Sequence, residues 1–166
     1  LGTQQNPPNI VLMGIALFLS LFIMQPVYTA VMDEAITPYI NEEISGQAAF
    51  EAAELPIKEF MYQQTRDEDI QLFLDISETE KPADVNDLPL TVAIPAFIIS
   101  ELRTAFSIGF LIFIPFLVID IVVASILMSM GMFMLSPVMI SLPFKLLLFV
   151  LVDGWYLVVE SLVTGF

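Results

Sequence analysis

Residues 104–144 read TAFSIGFLIFIPFLVIDIVVASILMSMGMFMLSPVMISLPF, and Asp120 is the only charge among them. Wholly helical, this stretch would extend about 60 Å at a rise of ~1.5 Å per residue, roughly twice the hydrocarbon core of a bilayer. One straight crossing is therefore too short to use it, and two antiparallel helices or one long bent hairpin follow. Pro115, Pro137 and Pro143 supply candidate breaks, because proline has no N–H for the helical ladder. The turn is expected in Met128–Leu135, MSMGMFML, where a methionine occupies every second position. At about 100° per residue, such a spacing scatters side chains over two sides of a helix, whereas an extended or irregular segment could turn them all one way. Gly131 would allow the bend, and Pro137 would mark its end.

Composition agrees with a membrane-associated chain: 57% of the 166 residues are hydrophobic, against roughly 45–50% in a soluble domain. Cysteine and histidine are both absent, so thiol nucleophiles, Ser/His/Asp catalysis and the usual zinc sites are excluded. No metal cluster, cofactor motif or phosphate loop is present, and the chain reads as no enzyme. Nineteen acids against five bases, a net charge of −14, exclude a nucleic-acid partner, which requires clustered Lys and Arg. The sequence starts at Leu1, which leaves room for an upstream segment such as a signal peptide or a first membrane helix.

Polarity divides the chain into three parts within one domain, 1–166. Residues 10–32 are free of charge and about long enough to cross a bilayer, with Pro26 kinking or ending the helix toward its far side. Residues 33–87 hold fifteen of the nineteen acids and form an aqueous, acidic, amphipathic helical insert. Pro56 is placed in the first turn of one helix, with Ile57, Phe60 and Met61 on one face. Thr65-Arg66-Asp67-Glu68 has capping-box spacing for a second, whose Ile70, Phe73, Leu74 and Ile76 face a neighbour. Glu78 to Asp87 is a loop. Residues 88–166 form an apolar helical hairpin with a last helix from about Leu142 through Val163. The expected fold is thus all-α: membrane-associated helical hairpins with long kinked apolar helices and the acidic insert.

Ionisable groups in apolar helices are costly, so they pair, face a bundle interior or line a water path. Glu101 and Arg103, two apart, point to different faces and seek separate partners. Glu101 is expected to pair with Lys145, within one chain or between copies; the competing reading has Arg103 and Lys145 snorkelling to an interface. Asp120, a lone carboxylate, either satisfies an inter-helix hydrogen bond or serves as a proton site in a small ion-coupled transporter.

Residues 95–110, PAFIISELRTAFSIGF, closely resemble the signature of the FliP family, the flagellar branch of the type III secretion export gate. Further matching blocks are LGTQQ at 1–5 with Pro7-Pro8-Asn9, PIKEFMYQQTR at 56–66, IFIPF at 112–116, and LPFK at 142–145 running into FVLVDGW at 149–155. The resemblance covers essentially the whole chain. Ser107 departs from it, standing where the family usually has a charged or amide side chain, and Phe133 stands where relatives often carry a further methionine.

The resemblance implies a channel-forming subunit of the flagellar export gate in the bacterial inner membrane and basal body; the charge distribution, for its part, fits the acidic region 33–87 to the periplasmic side. Several copies, with FliQ and FliR, would build a closed helical ring, fed by FlhB, FlhA and the export ATPase with unfolded flagellar polypeptides. Carried over, Met130, Met132, Phe133 and Met134 fall at the family's methionine-rich constriction, and Glu101 and Lys145 at inter-subunit charge contacts. No cofactor is implied. Methionines in an apolar segment otherwise simply fill a core.

Overall fold

The computed structural model describes residues 1–166. The chain is all-helical: α1 (Asn9–Ile23), α2 (Gln25–Val31), α3 (Thr37–Ile40), α4 (Gly46–Gln64), α5 (Asp67–Ile76), α6 (Leu90–Ser129), α7 (Pro137–Leu151) and α8 (Gly154–Val163). They form two compact units, one of Leu1–Leu19 with Ala105–Phe166 and one of Ser20–Thr104. The boundaries fall inside α1 and α6 rather than at the changes in polarity.

Pro26 acts as expected. It sits in the first turn of α2 and cannot donate to the Phe22 carbonyl, so α1 stops at Ile23 and the path bends by 56° between Asn9–Ile23 and Gln25–Ile40. The apolar segment then runs past residue 32. Met32–Ile36 is a π-turn, closed by the Thr37 N–H on the Met32 carbonyl, and it leads into α3 ahead of Pro38. The wider turn accommodates a proline that has no N–H for Glu34.

Helix α4 starts ten residues before the expected Pro56. Ser45 caps it, its Oγ accepting from the Ala48 N–H at 3.3 Å, and Pro56 lies inside. The alanine-rich stretch from Ala48 to Ala53 propagates helix strongly enough to absorb the single missing bond to the Ala52 carbonyl. The capping box at Thr65 does not form. The Thr65 hydroxyl instead donates back to the Met61 carbonyl, and Arg66 occupies the cap position without a side-chain bond. Ser100 of α6 takes over: its Oγ accepts from the Arg66 N–H at 3.1 Å and donates to the Gln64 carbonyl at 3.4 Å. A distant hydroxyl thus satisfies the α4–α5 corner, which no local motif could signal.

Unit Ser20–Thr104 has the larger buried core. Met61, Ile70, Leu74, Leu88, Val92, Ala93 and Ala96 pack together, with Phe60 and Phe97 in a tilted ring contact at 6.1 Å. Ile70 and Leu74 are buried as their spacing requires, while Ile76 is exposed. Asp69 is buried beside them and is neutralised by Arg103, whose Nη2 lies 3.0 Å from its Oδ1; Nη1 reaches Glu68 at 3.5 Å. Arg103 therefore pairs with the acidic helix rather than snorkelling.

Helix α6 corrects the expected break at Pro115: the helix runs unbroken through it. Proline removes only its own N–H, leaving the Leu111 carbonyl without that partner, and helices in apolar surroundings tolerate this through local adjustment. The helix ends one turn after Ile126, in a Schellman motif. The Met132 N–H bonds the Leu127 carbonyl at 2.9 Å and the Gly131 N–H bonds Met128 at 3.1 Å, with Gly131 at φ +74°. Pro137, preset in φ, then opens α7.

The last helix is not continuous from Leu142 to Val163. Asp153 adopts the left-handed conformation at φ 52°, and α7 and α8 meet at 64°. Gly154 is required there because a Cβ would lie 2.3 Å from the Phe149 ring. That ring packs between Phe116 of α6, at 6.3 Å, and Trp155, at 5.6 Å. Within the unit that contains the C-terminus, α7 thus runs antiparallel to the second half of α6.

By length and composition, α6 can cross a membrane alone, and the bent pairs Asn9–Ile23 with Gln25–Ile40 and Pro137–Leu151 with Gly154–Val163 can each do so as a pair.

Two substitutions separate core from surface. Leu74→Ala removes a side chain 1% exposed and should cost about 3 kcal/mol, seen as a lower thermal midpoint by circular dichroism; Leu72→Ala, on an exposed position, should stay within about 0.5 kcal/mol. At Gly131 nothing lies within 4 Å of an added Cβ, so Gly131→Ala should cost only the conformational ~1 kcal/mol. Gly131→Asn should cost less and Gly131→Val more; equal midpoints for all three would contradict the left-handed cap.

Candidate functional site

The segment between α6 and α7 is built from its two ends. The Schellman turn at Gly131 stops α6, Pro137 starts α7, and Met132 to Ser136 between them are irregular. Met130, Met132, Phe133 and Met134 are all exposed, Met134 fully at 100%. Within the chain these side chains fill no core. Leu127, one turn before the loop, is buried and sits at the position whose carbonyl accepts from Met132. The turn therefore places soft apolar side chains at the tip of a hairpin, where solvent, lipid or another protein must meet them.

Beneath the tip, the hairpin is pinned by charge. Lys145, 1% exposed, places its Nζ 2.9 Å from Asp120 Oδ1 and 3.1 Å from Oδ2. The Ser141 hydroxyl, also buried, donates to the same carboxylate and is 3.0 Å from the Val138 carbonyl. Gly2 lies over this cluster, its would-be Cβ 3.6 Å from Nζ and 3.4 Å from Val138 Cγ1. The ammonium is thus enclosed by an acid, a hydroxyl and backbone.

Within the chain, Lys145 pairs with Asp120 and not, as expected, with Glu101. Glu101 is half-buried on α6. Asp120 makes an inter-helix bond, which was one of its two expected roles. The pairing had a readable signal: Asp120 and Lys145 are the only charges from 104 to 152 and flank the turn. Ser141 carried no such signal, since serines are common along apolar helices.

The FliP family profile matches residues 1–162. The chain is 60% identical over 166 residues to the flagellar biosynthetic protein FliP of Bacillus subtilis, covering 100% of this chain and 75% of that one. Against the proteins of the same name from Cereibacter sphaeroides and Aquifex aeolicus, it is 51% identical over its full length, spanning 55% and 70% of theirs. With its entire length aligned at such identity, and with the family profile reaching from Leu1 to Leu162, this chain belongs to the FliP family.

Proposed function

We propose that this chain is a channel-forming subunit of the flagellar type III protein export gate, passing unfolded flagellar polypeptides through a ring closed by Met130, Met132, Phe133 and Met134. The observation that carries the reading is the exposed run of flexible apolar side chains on an irregular loop, mounted on a hairpin fixed by a buried ion pair. Methionine is unbranched and polarizable, so a ring of such loops can repack around varied side chains in transit. At rest the same ring is an apolar constriction that excludes water and ions. The relatives' name, flagellar biosynthetic protein, supports the setting.

In this reading the chain performs no catalysis and needs no cofactor. It works in the bacterial inner membrane and basal body as part of a hetero-oligomer, with further copies of itself, FliQ and FliR, and it receives cargo from FlhA and FlhB. The acidic region, 33–87, faces the periplasm. The domain is a single gate subunit, residues 1–166, despite its two compact units. Glu101 and Lys145 make inter-subunit charge contacts, the Lys145 ammonium then being shared between its own Asp120 and a neighbouring copy's Glu101. The competing reading, an ion-coupled transporter using Asp120, is weakened by the same enclosure, because Lys145 and Ser141 occupy that carboxylate.

Replacing Met130, Met132 and Met134 together by alanine should leave a complex that assembles but leaks small ions, read as dye or ion efflux from vesicles containing it. A variant as tight as wild type would rule out the constriction. Asp120→Asn should impair assembly or loop placement; loss of transport with a normally assembled, normally sealed complex would instead favour the transporter.

A further inference from the structure

Helices α6 and α7 meet through a seam that is apolar except at one point, the buried cluster of Asp120, Ser141 and Lys145. Across the seam Phe116 packs on Phe149 at 6.3 Å, one turn from the Asp120–Lys145 pair, and the residues next to Asp120 and Lys145 in sequence are apolar. Sliding one helix past the other by a turn, ~5.4 Å, would replace the Phe116–Phe149 ring contact with another apolar contact. Apolar contacts of this kind favour burial more than they fix alignment. The cluster of Asp120, Ser141 and Lys145 differs, because its bonds have a single solution: after a one-turn slip, Lys145 would face Phe116 or Ala124, neither of which offers a side-chain acceptor. The cost of a stranded buried ammonium then falls on every alignment but one. Single buried polar groups elsewhere fix the alignment of apolar helices by this means.

The position of the cluster along the two arms adds a second argument. Ser129 ends α6 nine residues beyond Asp120, about 13 Å on, and Pro137 begins α7 eight residues before Lys145, about 12 Å away. The arms above the cluster are nearly equal, so the loop's two ends are level and Met130 to Ser136 close the hairpin symmetrically. A slip of one turn would make the arms unequal and draw the methionines toward one helix.

We infer that Asp120, Ser141 and Lys145 are positioning residues: a register lock that sets where the methionine loop stands, by aligning α6 with α7. This rests on the gate reading for its consequence, a tight seal, but not for the alignment itself. The lock need not contribute net stability, since replacing a buried ion pair with apolar side chains of similar volume is often neutral or stabilising. Alignment and stability should therefore come apart.

The test compares wild type with the double variant Asp120→Leu/Lys145→Met in the purified export complex. The chain has no cysteine, so spin labels at Ile126→Cys and Met139→Cys, both exposed, report the α6–α7 distance when labelled copies are diluted with unlabelled ones. The expected result is a single narrow distance in the wild-type background. The double variant should keep its thermal midpoint within a few degrees while its distance broadens or shifts by about one helical turn, and its vesicles should leak at several times the wild-type rate. Restoring Asp120 and Lys145 in exchanged positions, Asp120→Lys/Lys145→Asp, should recover the narrow distance. An unchanged narrow distance in the apolar double variant overturns the lock. A shifted distance, found together with methionine-to-alanine complexes that do not leak, leaves the lock standing and removes the gate reading alone.

Discussion

One lysine ammonium, buried to 1% exposure between two apolar helices, constrains more of this fold than any hydrophobic contact does. A charge removed from water needs both an opposite charge and hydrogen-bond partners, and the chain from Thr104 to Val152 provides one acid, Asp120, to meet the need. The 2.9 Å ion pair can form only if the chain reverses between the two residues and brings α7 back antiparallel to α6. The burial of Ser141 goes with satisfying that group, while Gly131 and Pro137 set where the reversal falls. The ring contact of Phe116 with Phe149 then falls on the same seam.

The remainder of the apolar surface has no such solution within the chain. No residue of α1 is buried, and the most apolar window of α6 is only 11% buried. At roughly 25 cal/mol per Å², exposed Phe106, Phe110 and Phe113 on one helix represent several kcal/mol of unmet burial. Lipid or other subunits must cover them, because contiguous exposed apolar surface on this scale is foreign to a soluble monomer. The unit Ser20–Thr104 behaves differently. It buries an aliphatic core of its own and places acids at the positive end of α5, as a region bathed in water would.

What the sequence disclosed and what it hid divide along a physical line. Local backbone chemistry was legible: the arrest at Gly131, the restart at Pro137 and the bend at Pro26 each depend on the φ preference or the missing donor of one residue. Proline inside a helix was not. Pro56 looks like a helix start and Pro115 and Pro143 like breaks, yet all three lie inside helices: neighbouring turns make up for one lost bond, and whether they do depends on the length of helix on both sides. Long-range polar bonds were hidden too. Ser100 supplies the cap that Thr65 was expected to provide, from a residue 34 positions beyond Arg66. Within the chain Lys145 pairs with Asp120 rather than Glu101, because alignment across a hairpin, not distance along the chain, chose the partner. The exposed methionines were legible as a loop from their spacing, while nothing in that spacing says what surface they meet.

Softness at the tip and rigidity below it are complementary demands. A constriction that must close around different side chains gains from methionine, whose three rotatable bonds let it refill irregular gaps. Flexible side chains cannot position themselves, however, and a loop bounded by a glycine in the left-handed region has no core of its own to hold it. Its location must come from the helices that carry it. If those helices met only through interchangeable leucines, isoleucines and valines, the loop could sit at several heights at similar energy, and a ring of such loops would have no common plane. A buried charge pair about 13 Å below the tip removes that degeneracy while leaving the methionines free to move. In the proposed gate, then, the costly ionic group and the pliable apolar ones solve two halves of one mechanical problem: the first fixes where the seal forms, and the second lets it yield.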